Sequence, residues 1–255
     1  MAEPMAFPAS SHIDDLEAHR LAHQFEGGDP RELLRWAIDR YGSRLVLATS
    51  FQAEGMVLLD MAWRIEPTIR VVSVDTGRLP QETYDLIERV RERYTLAIEV
   101  FSPEAAALET FVGEHGPNPF YRSLELRVGC CDIRKVAPLT RALAGVDAWV
   151  TGQRRAHQTT RRGINVVERD VAHGGIVKLN PLATWSDDEV WDYIRTNDIP
   201  YNALYDQGFT SIGCAPCTRA TRPGDDPRSG RWWWETDAPK ECGMQCVIDW
   251  NSLRA

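Results

Sequence analysis

Short apolar runs alternate with longer segments of helical periodicity from about residue 44 onward. In residues 81–94, the apolar and aromatic side chains Tyr84, Ile87, Val90 and Tyr94 recur at helical spacing and form one stripe. Runs of apolar or β-branched residues predict strands at 45–49, 69–74, 96–101, 148–151 and 176–179. Strands that alternate with helices predict βαβ units, so the fold class is α/β, with a mainly parallel sheet flanked by helices.

Further helix signals complete this pattern. Apolar spacing predicts helices that begin near Met56 and over residues 133–143, and Ser186 with Glu189 forms a capping box that opens another helix, which stops before Pro200. After about residue 210, prolines and glycines interrupt the chain and the periodic pattern is lost. We therefore divide the chain into an N-terminal helical extension at 1–43, an α/β domain at 44–210 and an irregular C-terminal segment at 211–255.

The composition narrows the classes of function. The chain has 255 residues, of which 43% are hydrophobic, and a formal net charge of −8. That charge argues against a protein held mainly on nucleic acid by phosphate contacts. The apolar runs are far shorter than the ~20 residues of a bilayer span, and the acidic first thirty residues do not resemble a signal peptide. We expect a cytoplasmic protein, whose six cysteines serve as metal ligands or reactive thiols rather than disulfides.

Polar loops follow the first, second and fourth predicted strands, at 50–55, 75–77 and 151–155. Ligands of parallel sheets bind beyond the carboxyl ends of the strands, so these loops are the candidate site. The first loop lacks the pattern of an ATPase P-loop and is also compatible with a plain turn. A local island of arginines (Arg154, Arg155, Arg161 and Arg162), joined by Arg228, Arg231 and Lys135, suits phosphate or sulfate oxygens, although basic residues also form solvated faces.

The cysteines fall into two groups. Cys130 and Cys131 are adjacent, and Cys214 and Cys217 form a C-x-x-C pair more than eighty residues later. This spacing is compatible with an iron–sulfur cluster, with a zinc site and with small buried side chains, and it favours the cluster. Near the C-terminus, Cys242 has a lysine two residues before it and a glycine after it, which suits a reactive thiolate as well as a spectator thiol.

The motifs, taken in order, resemble the phosphoadenylyl-sulfate and adenylyl-sulfate reductase family of assimilatory sulfate reduction, from about residue 44 to residue 245. Their order and spacing make the resemblance specific. The matching segments are 50–55 (SFQAEG), 75–77 (DTG), 130–131 (CC) with Lys135, 151–155 (TGQRR), 180–182 (NPL), 199–202 (IPYN), 211–219 (SIGCAPCTR), 230–234 (GRWWW) and 240–243 (KECG).

The resemblance implies a fold, a cofactor and a reaction. The fold would be an adenine-nucleotide α-hydrolase-like sheet, and the C-terminal segment would bind a [4Fe–4S] cluster, which is typical of members that act on adenylyl sulfate. Adenylyl sulfate would be reduced to sulfite and AMP, for cysteine biosynthesis, through an S-sulfocysteine on the nucleophile Cys242. Thioredoxin or a similar dithiol protein would be the reductant. The resemblance is also compatible with a homo-oligomer. The implied cluster ligands are Cys130, Cys131, Cys214 and Cys217. The implied substrate-binding residues are Ser50, Glu54, Thr76, Gly77, Lys135, Gly152, Arg154, Arg161, Arg228 and Arg231.

The chain departs from the family pattern in its last residues. Gln245 stands where the family has a histidine that helps to hold the substrate, and Cys246 is an additional thiol that could form a disulfide with Cys242. Three other functions remain as alternatives. One is a reductase of the 3′-phosphorylated substrate, and another is a non-enzymatic, zinc-stapled binding module. The third is an RNA-thiolating enzyme of the same fold, which needs a Ser-Gly-Gly-x-Asp-Ser loop that residues 50–55 do not supply.

Overall fold

A six-stranded sheet forms the centre of the computed structural model, which describes residues 13–157, 161–235 and 240–244. The strands are β1 (Leu45–Ala48), β2 (Arg70–Val74), β3 (Ile98–Phe101), β4 (Ala148–Val150), β5 (Val167–Asp170) and β6 (Ile176–Leu179). They lie in the order β3-β2-β1-β4-β6-β5, and every pair is parallel except β5 with β6. The predicted α/β class with a mainly parallel sheet is therefore confirmed.

The position of β1 defines where a ligand can bind. From β1 the chain proceeds outward through β2 to β3, and it then crosses to the opposite side of β1 to form β4. In open sheets of this kind, the crevice outside the carboxyl ends of the strands at such a reversal is the usual ligand site. The pair β1 and β4 is the reversal point in this protein.

Eight α-helices surround the sheet in the described ranges, and local signals mark several of their ends. Asp29 caps the second helix, whose first residue is Pro30, and the predicted capping box of Ser186 and Glu189 is present. No helix of the described residues is long and apolar enough to cross a membrane. The helices are α1 (Asp15–Phe25), α2 (Pro30–Tyr41), α3 (Ala53–Ile65), α4 (Gln81–Tyr94), α5 (Ala105–His115), α6 (Leu124–Cys131), α7 (Ala137–Ala142) and α8 (Asp187–Thr196).

Most of the predicted elements are present, with three differences. The helix predicted over 133–143 is part of a longer rod, in which α6 continues through a π-helical turn, Asp132–Val136, into α7. The strand predicted over 96–101 begins only at Ile98. The edge strand β5 was not predicted, because its four residues include three charged ones. Among the described residues after 210, the 3₁₀ turn Ala215–Cys217 is the one named element, and the division into three parts stays a prediction.

A buried carboxylate joins three of the helices. Asp60 of α3 is 1% exposed and accepts hydrogen bonds from the hydroxyls of Tyr94 in α4 (3.1 Å) and Tyr193 in α8 (3.0 Å). It also accepts from Arg64 Nε (2.7 Å). Burial and the adjacent carboxylate raise the pKa of Tyr193 to about 12, so this phenol remains a donor at neutral pH. The three donors satisfy a charge that would otherwise be costly to bury.

We predict that Asp60→Ala lowers the free energy of unfolding by about 3 kcal/mol, because two phenols and a guanidinium lose their common acceptor. Urea unfolding with an unchanged m-value measures the effect. Asp192→Ala is the control: Asp192 lies on α8, is 72% exposed and pairs with Arg195, so its loss should cost less than about 0.5 kcal/mol. Equal losses for the two variants would contradict the role assigned to Asp60.

Candidate active site

The carboxyl ends of β1 and β2, together with Trp149 of β4, border one cavity. It encloses about 940 Å³, including its open mouth. Residues at the strand ends and residues from the segment after 210 both line it. The cavity therefore lies where the sheet topology places a ligand site. Of the residues predicted at the site, those that line it are Ser50, Thr76, Lys135, Arg161, Arg228, Arg231 and Cys242.

The loop after β1 presents Ser50 to this cavity. Thr49 Oγ1 accepts a hydrogen bond from the Phe51 N–H (3.0 Å), and the bent chain holds Phe51 at a φ of 56° with its ring buried. The side-chain oxygen of Gln52 accepts from the Ile212 N–H (2.9 Å), and its nitrogen donates to Ser50 Oγ (3.1 Å). One glutamine thus fixes the loop to the C-terminal segment.

The loop after β2 contributes Thr76, which is buried beside Cys214. Its carbonyl accepts a hydrogen bond from Arg134 Nη1 (2.6 Å), and its hydroxyl oxygen accepts from Cys214 Sγ (3.4 Å). Gly77 follows with a φ of 67°, and its N–H donates to Asp75 Oδ1 (2.8 Å). This positive φ suits glycine. Gly77 shapes the turn and is outside the cavity wall.

Four buried cations face the cavity: Lys135, Arg161, Arg228 and Arg231. Among the described residues, Lys135 Nζ has no hydrogen-bond or ion-pair partner. Burial acts to lower the pKa of Lys135, but the sulfurs of Cys214 and Cys242 outweigh burial and raise the pKa above its usual value. Burial lowers the pKa of Arg228 to about 10, which leaves it a cation at neutral pH. The cavity is therefore suited to an anion.

Arg231 reaches the cavity because a glycine makes room for it. A Cβ on Gly213 would lie 2.3 Å from Arg231 Nη2. The guanidinium donates to Ser211 Oγ (3.3 Å) and stacks on the Trp232 ring at 4.7 Å from its centroid. Trp232 itself has a φ of 41°, which is unusual for a residue other than glycine. Gly213 and the unusual backbone of Trp232 therefore both accommodate the Arg231 side chain.

Three other predicted substrate-binding residues lie behind the cavity rather than in its wall. Arg154 donates to Glu54 Oε1 from Nε (2.9 Å) and Nη2 (2.7 Å), and from Nη1 to the Trp185 carbonyl (3.1 Å). A Cβ on Gly152 would meet the Glu54 Cβ at 2.8 Å, so the glycine allows the loop after β4 to pack on α3. The structure gives Glu54, Gly152 and Arg154 a supporting position, and their direct contact with substrate stays a prediction.

Cys242 is half-buried at the cavity, and the residue before it holds it there. The Glu241 carbonyl accepts a hydrogen bond from Arg127 Nη1 (2.7 Å). The Glu241 carboxylate accepts from Arg161 Nε (2.7 Å) and Nη2 (2.9 Å), and from Arg228 Nη2 (3.3 Å). Sequence reasoning missed Glu241, because an acidic residue is not expected at an anion site. Its position directly before the candidate nucleophile was the available signal.

The four predicted ligand cysteines meet beside this cavity. Cys130 and Cys131 end α6, while Cys214 precedes the turn Ala215–Cys217 and Cys217 is its last residue. All four are buried and pack with Phe120 and Trp232. They line a second cavity of about 350 Å³, and Lys135 borders both cavities. Two sequence-distant cysteine groups are thus brought together.

The environment of these thiols is apolar and cationic. Burial raises the pKa of Cys131 and of Cys217 to about 12 each. Burial acts in the same direction on Cys214, but the charge of Lys135 and a hydrogen bond that the Thr76 hydroxyl can donate to the thiolate outweigh it and lower the pKa of that thiol. No group of three or more His, Cys, Asp or Glu side chains in the described ranges is arranged to hold a single metal ion. Gln245 and Cys246 lie outside the described residues.

Comparison with known proteins agrees with the motifs. The family model described as the phosphoadenosine phosphosulfate reductase domain matches residues 44–220. An adenosine 5′-phosphosulfate reductase of Burkholderia cepacia is 51% identical over 201 residues, which are 79% of this chain and 80% of that protein. The enzyme of the same name from Pseudomonas aeruginosa (strain LESB58) is 43% identical over 249 residues, 96% of this chain and 88% of that protein.

A solved structure adds agreement at the level of the fold. The crystal structure of phosphoadenylyl-sulfate reductase from Candida auris, a phosphate complex, superposes with a TM-score of 0.71 at 30% identity and covers 83% of this chain and 100% of that chain. The family model spans well over half of the chain, and the two bacterial relatives cover most of it. The chain therefore belongs to the phosphoadenosine phosphosulfate reductase family.

Proposed function

We propose that this protein reduces adenylyl sulfate to sulfite and AMP in assimilatory sulfate reduction, with Cys242 as the nucleophile. One observation carries the proposal: a half-buried thiol lines a cavity at the strand ends that four buried cations also line. The relatives named adenosine 5′-phosphosulfate reductase support the same substrate. A thiolate is needed to attack an anionic sulfur, and cations at that point lower the electrostatic barrier.

The residues that line the cavity suggest how the substrate would bind. Lys135 and Arg231 would bind the phosphosulfate oxygens, because both are buried cations, and Arg231 offers a planar guanidinium. Ser50 and Thr76 supply hydroxyls at the ends of β1 and β2, where they would position the nucleotide. Binding the phosphosulfate between these groups would hold its sulfur in line with Cys242.

The first chemical step forms one bond and breaks another. The Cys242 thiolate donates an electron pair to the sulfur of adenylyl sulfate, and a Cys242 Sγ–S bond forms. The bond between that sulfur and the bridging phosphate oxygen breaks, and AMP leaves with the bonding pair. The product on the protein is S-sulfocysteine. Its Cys242 Sγ is the atom that the reductant attacks in the next step.

The second step releases sulfite by thiol exchange. A thiolate of a dithiol protein such as thioredoxin attacks Cys242 Sγ, and sulfite leaves with the electron pair of the Sγ–S bond. The second thiol of the partner then resolves the mixed disulfide, regenerates the Cys242 thiol and leaves the partner oxidised by two electrons. We place the reaction in the cytoplasm, where such partners stay reduced.

The four buried cysteines fit a [4Fe–4S] cluster, which Cys130, Cys131, Cys214 and Cys217 would hold. The thiols line one cavity instead of converging on a point, which suits a group of several atoms better than one zinc ion. Trp232 borders the same cavity, and its buried Nε1 has no acceptor among the described residues, a role that a cluster sulfur would fill. When bound, the cluster would supply a compact charge beside Lys135 that tunes the field at the substrate.

The 3′-phosphorylated substrate is the alternative, because the similar solved structure bears that name. An assay of sulfite release from both nucleotides separates the two functions. We expect turnover with adenylyl sulfate at the higher kcat/KM. A preference for the 3′-phosphorylated nucleotide would replace the proposed substrate while leaving the thiol chemistry in place.

We predict that Cys242→Ser abolishes sulfite release, since a hydroxyl cannot form the S-sulfo intermediate. Intact-protein mass spectrometry after mixing with adenylyl sulfate, without reductant, should show one added SO3 group on the unaltered protein and none on this variant. Cys246→Ser is the matched control, and its adduct should map to Cys242. An adduct that persists in Cys242→Ser would assign the nucleophile elsewhere.

Cys131→Ser should remove the chromophore of anaerobically purified protein. The unaltered chain is expected to contain about four iron and four sulfide per chain, measured by metal analysis and visible absorption. Cys242→Ser, which alters a thiol outside the proposed ligand set, should keep both. Zinc without iron in the unaltered chain would refute the cluster.

Gly213→Ala should raise the KM for adenylyl sulfate by about tenfold, because the added methyl displaces Arg231 from the cavity. Gly163→Ala is the control, since a Cβ at Gly163 meets no atom of the described residues within 4 Å. Both variants should retain the unfolding midpoint to within a small shift. An unchanged KM in Gly213→Ala would argue against Arg231 as a substrate contact.

A further inference from the structure

The cavity proposed to bind an anion already contains one. Of the described residues that line it, Glu241 alone carries a carboxylate, and this side chain is 3% exposed. Burial acts to raise its pKa, but the hydrogen bonds from Arg161 and the charge of Arg228 outweigh burial and keep the pKa below its usual value. The group is therefore ionised inside a site built for a negatively charged ligand.

The carboxylate occupies arginines that suit phosphate or sulfate oxygens. Arg161 donates to it in a bidentate fork, from Nε to Oε1 (2.7 Å) and from Nη2 to Oε2 (2.9 Å). Arg228 Nη2 lies 3.3 Å from Oε2. The same planar donors bind tetrahedral oxyanions with similar geometry. An anion that uses these two arginines must compete with Glu241.

The main chain around Glu241 has its own anchors. Arg127 Nη1 donates to the Glu241 carbonyl (2.7 Å), and Arg228 Nε donates to the Lys240 carbonyl (3.1 Å). These contacts do not involve the carboxylate. The side chain can therefore leave the arginines while the segment that carries Cys242 stays beside the cavity.

We propose that the Glu241 carboxylate is an internal counter-ion that occupies the arginine subsite of the empty enzyme and is displaced by the phosphosulfate group. The inference rests on the proposed function and extends it to selectivity. A small anion such as inorganic sulfate has no nucleotide contacts that offset the loss of the Glu241 pairs, so it is kept out. Adenylyl sulfate gains those contacts and displaces the carboxylate.

A different role for Glu241 predicts the opposite sign. If the carboxylate served to orient Arg161 and Arg228 for the ligand, its neutralisation would weaken anion binding. If it competes, neutralisation strengthens anion binding. The sign of the change in affinity therefore separates a competitor from an orienting group, and turnover is not needed to measure it.

The test uses full-length protein that carries Cys242→Ser, which prevents turnover. Isothermal titration with inorganic sulfate compares this protein with its Glu241→Gln and Glu235→Gln derivatives. Glu235 is the matched control, because it lies on the same segment and pairs with Arg127 (3.0 Å) but does not line the cavity. We expect Glu241→Gln to bind sulfate about tenfold more tightly, and Glu235→Gln to bind it unchanged.

A second variant is a control for a substitution that only destabilises the fold. Glu241→Asp keeps the charge on a shorter side chain, and its sulfate affinity should fall between those of the parent and Glu241→Gln. Unchanged or weaker sulfate binding in Glu241→Gln, or in Glu241→Asp should Glu241→Gln not fold, overturns the inference. The proposed function fails separately, if the unaltered enzyme with a dithiol reductant releases no sulfite from adenylyl sulfate.

Discussion

Burying a positive charge is costly unless acceptors or anions lie within reach, and this protein buries several arginines and a lysine at one edge of its sheet. The positions of those cations organise the C-terminal segment. Arg127 pairs with Glu235 and reaches the Glu241 carbonyl, while Arg228 reaches the Lys240 carbonyl. Because carbonyls and carboxylates of this segment accept hydrogen bonds from Arg127, Arg161 and Arg228, the segment folds over the cavity with little regular secondary structure of its own.

Lys135 shows how one helical irregularity joins the two cavities. It lies four residues after Cys131 in the π-helical turn between α6 and α7, and it borders both the thiol cavity and the cavity of Cys242. A π turn adds a residue to the helical repeat and commonly marks a functional site. The extra residue changes which side chains share a face, so the cysteine pair and the lysine meet different neighbours than in an unbroken helix.

The sequence alone predicts those helices and strands whose local signals agree with their role in the folded protein. The periodicity of α4 and the capping box of α8 are confirmed at the predicted residues, and the buried runs became the central strands. Contacts between residues that are distant in the sequence cannot be predicted from such local patterns. Arg154 is a predicted substrate-binding residue, and no local pattern indicates that it pairs with Glu54, a hundred residues earlier. The charged strand β5 is held by pairing with β6, which no local pattern reveals.

The same limit applies to Glu241, and it shows why charge counting misjudges such a site. Clustered basic residues in a chain of net charge −8 predict an anion site, yet they say nothing about what neutralises the cations before the ligand arrives. Arg161 and Arg228 both donate to the Glu241 carboxylate, so without it these two like charges would repel each other more strongly in the empty cavity. An internal carboxylate removes that repulsion and can leave when a stronger anion enters. The ion pairs of Glu241 therefore stabilise the empty site and, for the same reason, lower its affinity for the ligand.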